Sequence, residues 1–483
     1  MSLAQKTLSG FIWTLTSRVG TRISIFVVGI ILARLLTPAD FGLVAMLSIF
    51  FSISSSLVDS GFTHALIREE TVTEEDKTTV FYINIIISIS LYTILWFSAP
   101  YIAFFFDQPQ LIWLTRIMGL DVLFKALIIV QRAVFMQSLR FKLLSTIDIS
   151  VSILTGIIAI FLAYKGMGVW ALAIKYFLSS LLISIILFIV NPWMPSGFIN
   201  KNSFDRLFGF GSKLLITGLI NVFYNNIYNL VIGKLFSPAI LGFYNRAYTL
   251  TRQPVTTILI ALQQVTYPIL SKTKDDLNRL KFSHQKVVKV ITFINFPISI
   301  VIAFSAEPLV VLLLGEKWID TVPFLQLLSI SALVIHLSAL NKDLFKVIGR
   351  SNIYLKISII SKVITTLSII IGYQFGIWGL VIGSIVSQFL EALLCMYYSS
   401  KYINYSLFEQ LKDILLITFL TIPLILTMLI LYNVDFSSNI IKLLCMLIFG
   451  ITIYLLSAFF TKSTALSDIK EVILPYIKKR NKK

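Results

Sequence analysis

Arg18 and Arg22 stand four residues apart in FIWTLTSRVGTRISIF (11–26), a segment otherwise apolar or hydroxylated. Four residues is close to one helical turn, so a helix here carries both guanidinium groups on one face. A guanidinium makes bidentate, charge-assisted bonds to carboxylate or phosphate oxygens. Holding one at the centre of a bilayer costs at least about 2.5–3.5 kcal/mol on the insertion scale. Two together are a candidate anion site. The segment has no acid of its own, and Asp59 in the next apolar stretch could satisfy only one of the two. A salt bridge to Asp59 with snorkelling of the other arginine is the competing reading.

A second polar constellation is neutral. In NVFYNNIYN (221–229), Asn221, Asn225 and Asn229 recur at i, i+4 and i+8, with Tyr224 and Tyr228 beside them. One helix face therefore carries amides and phenols, groups that suit sugar hydroxyls but also tie membrane helices together. Tyr244, Asn245, Arg246, Tyr248 and Arg252 follow, and then Pro254, which can bend a helix and loosen its backbone ladder. Cations from two segments and amides from a third form a lopsided candidate binding site.

The elements that must position these groups follow from composition. Of 483 residues, 57% are hydrophobic and 13% charged, about half the charge of a soluble domain. A membrane-spanning helix needs about 20 mainly apolar residues. Such stretches lie near 9–35, 41–64, 80–105, 111–136, 141–164, 168–190, 207–234, 239–267, 287–314, 322–348, 354–376, 378–400, 408–432 and 438–460. The chain reads as an all-α polytopic membrane protein with about 14 spans. The formal net charge of +18 resides in connections and spans rather than in an aromatic-studded nucleic-acid domain, so no nucleic-acid partner is expected.

One set of connections carries most of the lysine and arginine, including SKTKDDLNRLKFSHQKVVK (271–289) and the tail from Lys462 to Lys483. Positive loops tend to remain cytoplasmic, which places both termini there. The basic tail YIKKRNKK lies against anionic headgroups or is a solvated charge run. Within or at the edges of the spans are thirteen cations: Arg18, Arg22, Arg116, Lys125, Arg132, Lys175, Lys213, Arg246, Arg252, Lys342, Lys346, Lys362 and Lys442. They face six acids: Asp59, Asp121, Asp148, Glu307, Asp343 and Glu391. Asp121 and Lys125 should pair along one helix, Arg132 and Asp148 between helices, and Lys342, Asp343 and Lys346 should snorkel at a helix end.

No G-x-x-x-x-G-K-[ST] loop, H-E-x-x-H motif or TVGYG filter occurs, and no large external loop could house a catalytic domain. Cys395 and Cys445 lie in apolar stretches, and His64, His284 and His336 are scattered. No enzyme activity, metal or cofactor is expected.

The chain also repeats itself. ARLLTPADFGL (33–43) aligns without a gap to GKLFSPAILGF (233–243), Arg140 to Arg350, and GVWALAI (168–174) to GIWGLVI (376–382). With six spans per copy, both copies face the membrane the same way, a parallel repeat about the membrane normal. The expected divisions are an N-lobe (1–190, helices 1–6), a cytoplasmic linker (191–206), a C-lobe (207–400, helices 7–12), two further helices (401–461) and the basic tail (462–483).

On LARLLTPADFGLVAM (32–46), the preceding KTLSGFIW, the second-copy GKLFSPAILGFYNRAYTL and the terminal pair of spans, the chain resembles the polysaccharide transporter branch of the multidrug/oligosaccharidyl-lipid/polysaccharide exporter superfamily. The resemblance implies a V-shaped molecule with a central cleft between helices 1, 2, 7 and 8. It also implies a flippase of the bacterial cytoplasmic membrane, moving polyprenyl-diphosphate-linked oligosaccharide by alternating access for O-antigen, lipopolysaccharide, capsule or exopolysaccharide synthesis. Its partners would be that substrate, membrane lipids and polysaccharide assembly proteins. By the resemblance, Arg18, Arg22, Arg246 and Arg252 take the role of diphosphate-binding arginines, and the lipid tail runs along helices 13 and 14. The sequence departs from lipid-II-type flippases in having Asp59 and no arginine on helix 2, and Asp59 is the candidate for coupling to an ion. A multidrug exporter of the same superfamily is the alternative, and the basic interior argues against it.

Overall fold

The computed structural model describes residues 20, 23–69, 72–466 and 468. Arg18 and Arg22 lie outside these residues, as does most of the basic tail. Among the described residues the chain is helical throughout, with no strand. In order the helices are α1 (Ile23–Leu35), α2 (Pro38–Asp59), α3 (Phe62–Arg68), α4 (Glu74–Phe106), α5 (Leu111–Gln137), α6 (Phe141–Tyr164) and α7 (Val169–Val190). They continue as α8 (Lys201–Leu235), α9 (Pro238–Lys272), α10 (Leu277–Phe304), α11 (Ala306–Leu313), α12 (Thr321–Val347), α13 (Ser351–Tyr373) and α14 (Gly376–Ser400). The last are α15 (Leu407–Leu420), α16 (Ile422–Asn433) and α17 (Asn439–Phe460).

Ten described helices are long and apolar enough to cross a membrane, and the bent pair α15 and α16 makes an eleventh. The other three expected spans correspond to α1, which is described over a short apolar stretch, and to the more polar α5 and α9. The chain is thus an all-α polytopic membrane protein, while the count of fourteen remains the expectation from sequence.

Three expected spans are broken. The stretch 41–64 divides into α2 and α3 because Ser60 and Gly61 both adopt positive φ, 45° and 74°. Ser305 separates α10 from α11, and α15 meets α16 at a 40° bend, where Pro423 occupies the first turn of the second helix. The basic run expected as a connection is largely helical, since α10 already begins at Leu277, capped by Asp276. Likewise α8 begins at Lys201, inside the expected linker. Capping boxes start other helices: Thr37 with Asp40 before α2, Thr73 with Asp76 before α4, and Ser406 with Glu409 before α15.

The repeat reappears as a reciprocal contact. An added Cβ on Gly42 would lie 1.8 Å from the carbonyl oxygen of Pro238, and one on Gly242 would lie 2.0 Å from that of Pro38. Each copy of the P-A-x-x-G motif thus presses its glycine against the proline of the other copy. Self-complementary contact of this kind is what a two-fold relation between equivalent segments requires. Only glycine permits such close backbone approach.

The chain divides into two compact units, Met1–Asn245 and Arg246–Lys483, with the division inside α9. In the first, α5 packs on α4, α7 and α2, and α8 packs on α2, α3 and α4. Phe62, Leu66, Val80, Phe81, Val130 and Leu207 form one of its apolar cores. The segment 191–200 is strapped onto the start of α4. Trp193 Nε1 donates to Glu74 Oε2 (2.6 Å), Asn200 Nδ2 to Glu75 Oε2 (2.6 Å), and Arg206 pairs with the fully buried Asp76 (2.5 Å).

In the second unit α12 packs between α10 and α14. His336 is buried there with both ring nitrogens engaged: Nε2 faces Thr292 Oγ1 (2.8 Å) and Nδ1 faces Asn295 Nδ2 (3.0 Å). Thr292 donates its proton to Val288 O and the Asn295 Nδ2 can only donate, so the ring carries its proton on Nε2 and accepts at Nδ1. The last three helices dock on α10. Lys281 pairs with Glu409 and Lys289 with Asp413 at one end, and Tyr454 donates to the Phe293 carbonyl (2.9 Å) further along. Tyr405, ahead of α15, also donates to Asp413 (2.6 Å); burial and that carboxylate push its phenol well above the ordinary tyrosine range.

Replacing Gly42 or Gly242 by alanine should cost about 3 kcal/mol or more, the upper end for overpacking. Gly233→Ala should cost less, because its nearest neighbours are side-chain atoms 3.0–3.2 Å away that can shift. Thermal denaturation of the detergent-solubilised variants, followed by size-exclusion chromatography, would rank them; equal stability of all three would refute the reciprocal-contact argument.

Candidate functional site

Between Asp40 and Asp59 at its two ends, α2 is apolar apart from its serines, of which Ser48, Ser52 and Ser55 fall on one helical face. Met118, Asp121 and Lys125 likewise share a face of α5. With Val44, Phe51 and Tyr176 of α7 they enclose a cavity of about 400 Å³ within the first unit. Lys125 Nζ lies 2.6 Å from Asp121 Oδ2 and donates to Ser55 Oγ at 3.1 Å. The expected pair along one helix is therefore present, and it lines a cavity.

Ser48 links this cavity to the asparagine stripe. It accepts from Asn229 Nδ2 (3.2 Å), and its hydroxyl lies 2.6 Å from Ala45 O and 3.0 Å from Asn226 Oδ1, either of which can take its proton. Asn245 Nδ2 in turn donates to Asn229 Oδ1 (3.4 Å). A chain of polar side chains thus runs from α9 through α8 to α2. Tyr228 stacks on Tyr244 with ring centroids 6.4 Å apart, and Tyr224 meets Phe223 edge-on. Asn221 is half-buried, and Asn225 is exposed.

The two arginines of α9 belong to the second unit. Arg246 lies over the Trp318 ring (5.9 Å to the centroid). Arg252 stacks on Tyr248 (4.9 Å) and donates to Gln388 Oε1 (3.0 Å). Aromatic faces stabilise a guanidinium without neutralising it. Asp59 accepts from the backbone and hydroxyl of Thr63, bridging the break between α2 and α3. The structure thus joins Asn229 to Asn245 and Tyr228 to Tyr244, and places Asp59 at a helix break.

The remaining intramembrane charges are mostly structural. Arg132 and Asp148 tie α5 to α6, as expected. Lys342 does not snorkel: it pairs with Glu391 and ties α12 to α14, while Lys346 takes Asp343 at 2.8 Å. Helix-end position suggested snorkelling only because the acid on a distant helix could not be assigned from sequence. Arg116 is sandwiched by Trp96 and Trp113, at 4.5 and 5.0 Å. Reasoning from sequence missed Ser48, Ser52, Ser55, Asn226 and Tyr176; the hydroxyl spacing on an apolar helix was the available signal.

The profile of a family described as polysaccharide biosynthesis protein matches residues 31–323, well over half of the chain. The chain belongs to the polysaccharide biosynthesis protein family. Relatives include a Bacillus subtilis teichuronic acid biosynthesis protein, 26% identical over 73% of each chain, and the Escherichia coli lipopolysaccharide biosynthesis protein WzxC, 23% identical over 85% of this chain and 84% of the relative. The fold is that of the lipid II flippase MurJ, whose inward closed structure superposes with a TM-score of 0.76 over 95% of this chain and 99% of that one, at 15% identity. Membership of the polysaccharide biosynthesis protein family agrees with the resemblance drawn from the LTPADFGL and FSPAILGF segments, both of which fall inside the matched region.

Within this site, Asn229→Ala should lower stability by about 1 kcal/mol by removing interhelical hydrogen bonds, whereas Asn225→Ala, at an exposed position, should leave stability unchanged. Unfolding midpoints of the two purified variants test this, and equal destabilisation would mean that Asn225 is a helix tie as well.

Proposed function

We propose that this protein is a flippase that carries a polyprenyl-diphosphate-linked oligosaccharide from the cytoplasmic to the outer leaflet of the bacterial inner membrane, by alternating access and without enzymatic chemistry. The observation that carries this reading is membership of a polysaccharide biosynthesis family on a fold shared with a lipid II flippase. The charge pattern supports it. Thirteen cations face six acids in or at the spans, and four of those acids, Asp121, Asp148, Asp343 and Glu391, are occupied by Lys125, Arg132, Lys346 and Lys342. A polyanionic headgroup is the cargo that such a surplus suits.

In this reading Arg18, Arg22, Arg246 and Arg252 hold the diphosphate through bidentate bonds, and Asn221, Tyr224, Asn225, Tyr228 and Asn229 contact the glycan. Asp59 is the candidate for ion coupling. The repeat copies 1–190 and 207–400 act as lobes joined by 191–206, and 401–461 adds the last two spans. Both termini are cytoplasmic, the tail (462–483) lies at the inner leaflet, and contacts with polysaccharide assembly proteins form there. An inside-negative potential favours outward movement of an anion.

In proteoliposomes, wild-type protein should move a fluorescent polyprenyl-diphosphate saccharide to the opposite leaflet. The Arg18→Gln/Arg22→Gln variant should reduce the rate at least about hundredfold, as expected for losing charged hydrogen bonds at two groups, while eluting as folded protein. Unimpaired flipping by that variant would remove the diphosphate role of these arginines. A reporter fused after Lys483 should read cytoplasmic, and a periplasmic signal would overturn the orientation.

A further inference from the structure

The α2–α5–α7 cavity has no part in the diphosphate reading, yet it is built like a ligand pocket. Its volume, about 400 Å³, lies in the range of small-molecule sites, and apolar walls surround a few convergent polar groups. Two features give it a chemical preference. The Lys125–Asp121 pair is unequally covered: the lysine side chain is 42% exposed and the carboxylate 10%, so a molecule entering the cavity meets the ammonium first. The ammonium has three donors, of which Asp121 and Ser55 take two. Ser52, one turn away, makes no hydrogen bond among the described residues and offers a hydroxyl. Phe51 and Tyr176 supply flat apolar surface for the C–H face of a sugar ring. A volume of about 400 Å³ accommodates a sugar residue.

We propose that this cavity is a glycan subsite for an acidic sugar, with the Lys125 ammonium opposite the sugar carboxylate and the Ser52 and Ser55 hydroxyls bonding ring hydroxyls. Asp121 stands one turn behind the lysine on the same helix and, with Ser55, takes two of its three donors, leaving one for a ligand. This inference rests on the flippase reading for its role in transport, but the binding itself can be measured without transport.

The test uses the full-length protein in lipid nanodiscs, with D-glucuronate and D-glucose as probes in saturation-transfer NMR titrations. Wild type should bind glucuronate in clear preference to glucose. Lys125→Gln should weaken glucuronate binding by about tenfold to a hundredfold, the range for losing a hydrogen bond to a charged partner, and Lys125→Arg should retain most of it. Asp121→Asn, which releases the ammonium from its carboxylate, should bind glucuronate several-fold more tightly, a gain that a misfolded protein cannot produce. Equal binding of the two sugars by wild type, undiminished binding by Lys125→Gln, or weaker binding by Asp121→Asn would each overturn the proposal. Flipping of a lipid-linked saccharide without preferential glucuronate binding would sink the subsite alone. Preferential binding in a protein that flips nothing would sink the transport reading and leave the subsite standing.

Discussion

The contact on which the first unit depends is a backbone crossing. Gly42 faces the Pro238 carbonyl and Gly242 faces the Pro38 carbonyl, so the turn of each repeat copy is held by the other. Lipid chains are as apolar as leucine, and helix association in a membrane therefore relies on close packing and hydrogen bonds rather than on expulsion of water. A glycine at each crossing brings backbones close enough for dispersion to act over many atoms. The crossing also fixes register. With α2 and the start of α9 locked at this point, Ser48 is brought to Asn226 and Asn229, and Asn229 to Asn245. The polar chain that reaches the cavity depends on that register.

Charge is managed by a second constraint. Two of the four paired intramembrane acids tie helices together, Asp148 joining α6 to α5 and Glu391 joining α14 to α12, while Asp121 and Asp343 pair within their own helices. The repeat alignment sets Arg132 beside Lys342, one in each copy, at the same place on their helices. A cation at that place has been matched by an acid on a different neighbour in each copy, which shows that the tie and not the particular partner is what the fold requires. Arg116, Arg246 and Arg252 are treated differently. Each is laid on an aromatic ring, which lowers the cost of a guanidinium in the membrane while keeping its charge.

Much of this was legible in the sequence. The apolar stretches located the helices, and the gapless match of LTPADFGL to FSPAILGF located the repeat, because a turn needing Pro and Gly leaves residue types that substitution cannot disguise. The Asp121–Lys125 and Arg132–Asp148 pairs were also legible, the first from i, i+4 spacing and the second from adjacency of helices. The breaks at Ser60, Ser305 and Thr421 were not, since an apolar run does not reveal a positive φ or a bend when its hydropathy continues unbroken. The partner of Lys342 was hidden because Glu391 is distant in sequence and becomes a neighbour only through packing of α12 on α14. The cavity was hidden for the same reason: serine stripes are common in membrane helices, and only the juxtaposition of α2, α5 and α7 gives this one an opening.

The position of Lys125 distinguishes it from the other paired cations. Arg132 and Asp148 are covered to similar degrees, as are Lys342 and Glu391, which is the pattern of a tie between helices. Arg206 and Lys346 are more exposed than their acids, but both lie at helix ends, where a long side chain reaches the interface. Lys125 is in the middle of α5, four residues from an acid that is nearly covered, and its exposure opens into a cavity rather than toward a helix end. Insertion needs the pair, because a lone ammonium at that depth would be costly. If insertion were its only purpose, two well-packed apolar residues would serve as well or better. The pair therefore presents an ammonium from the middle of α5 to a space that a solute can occupy.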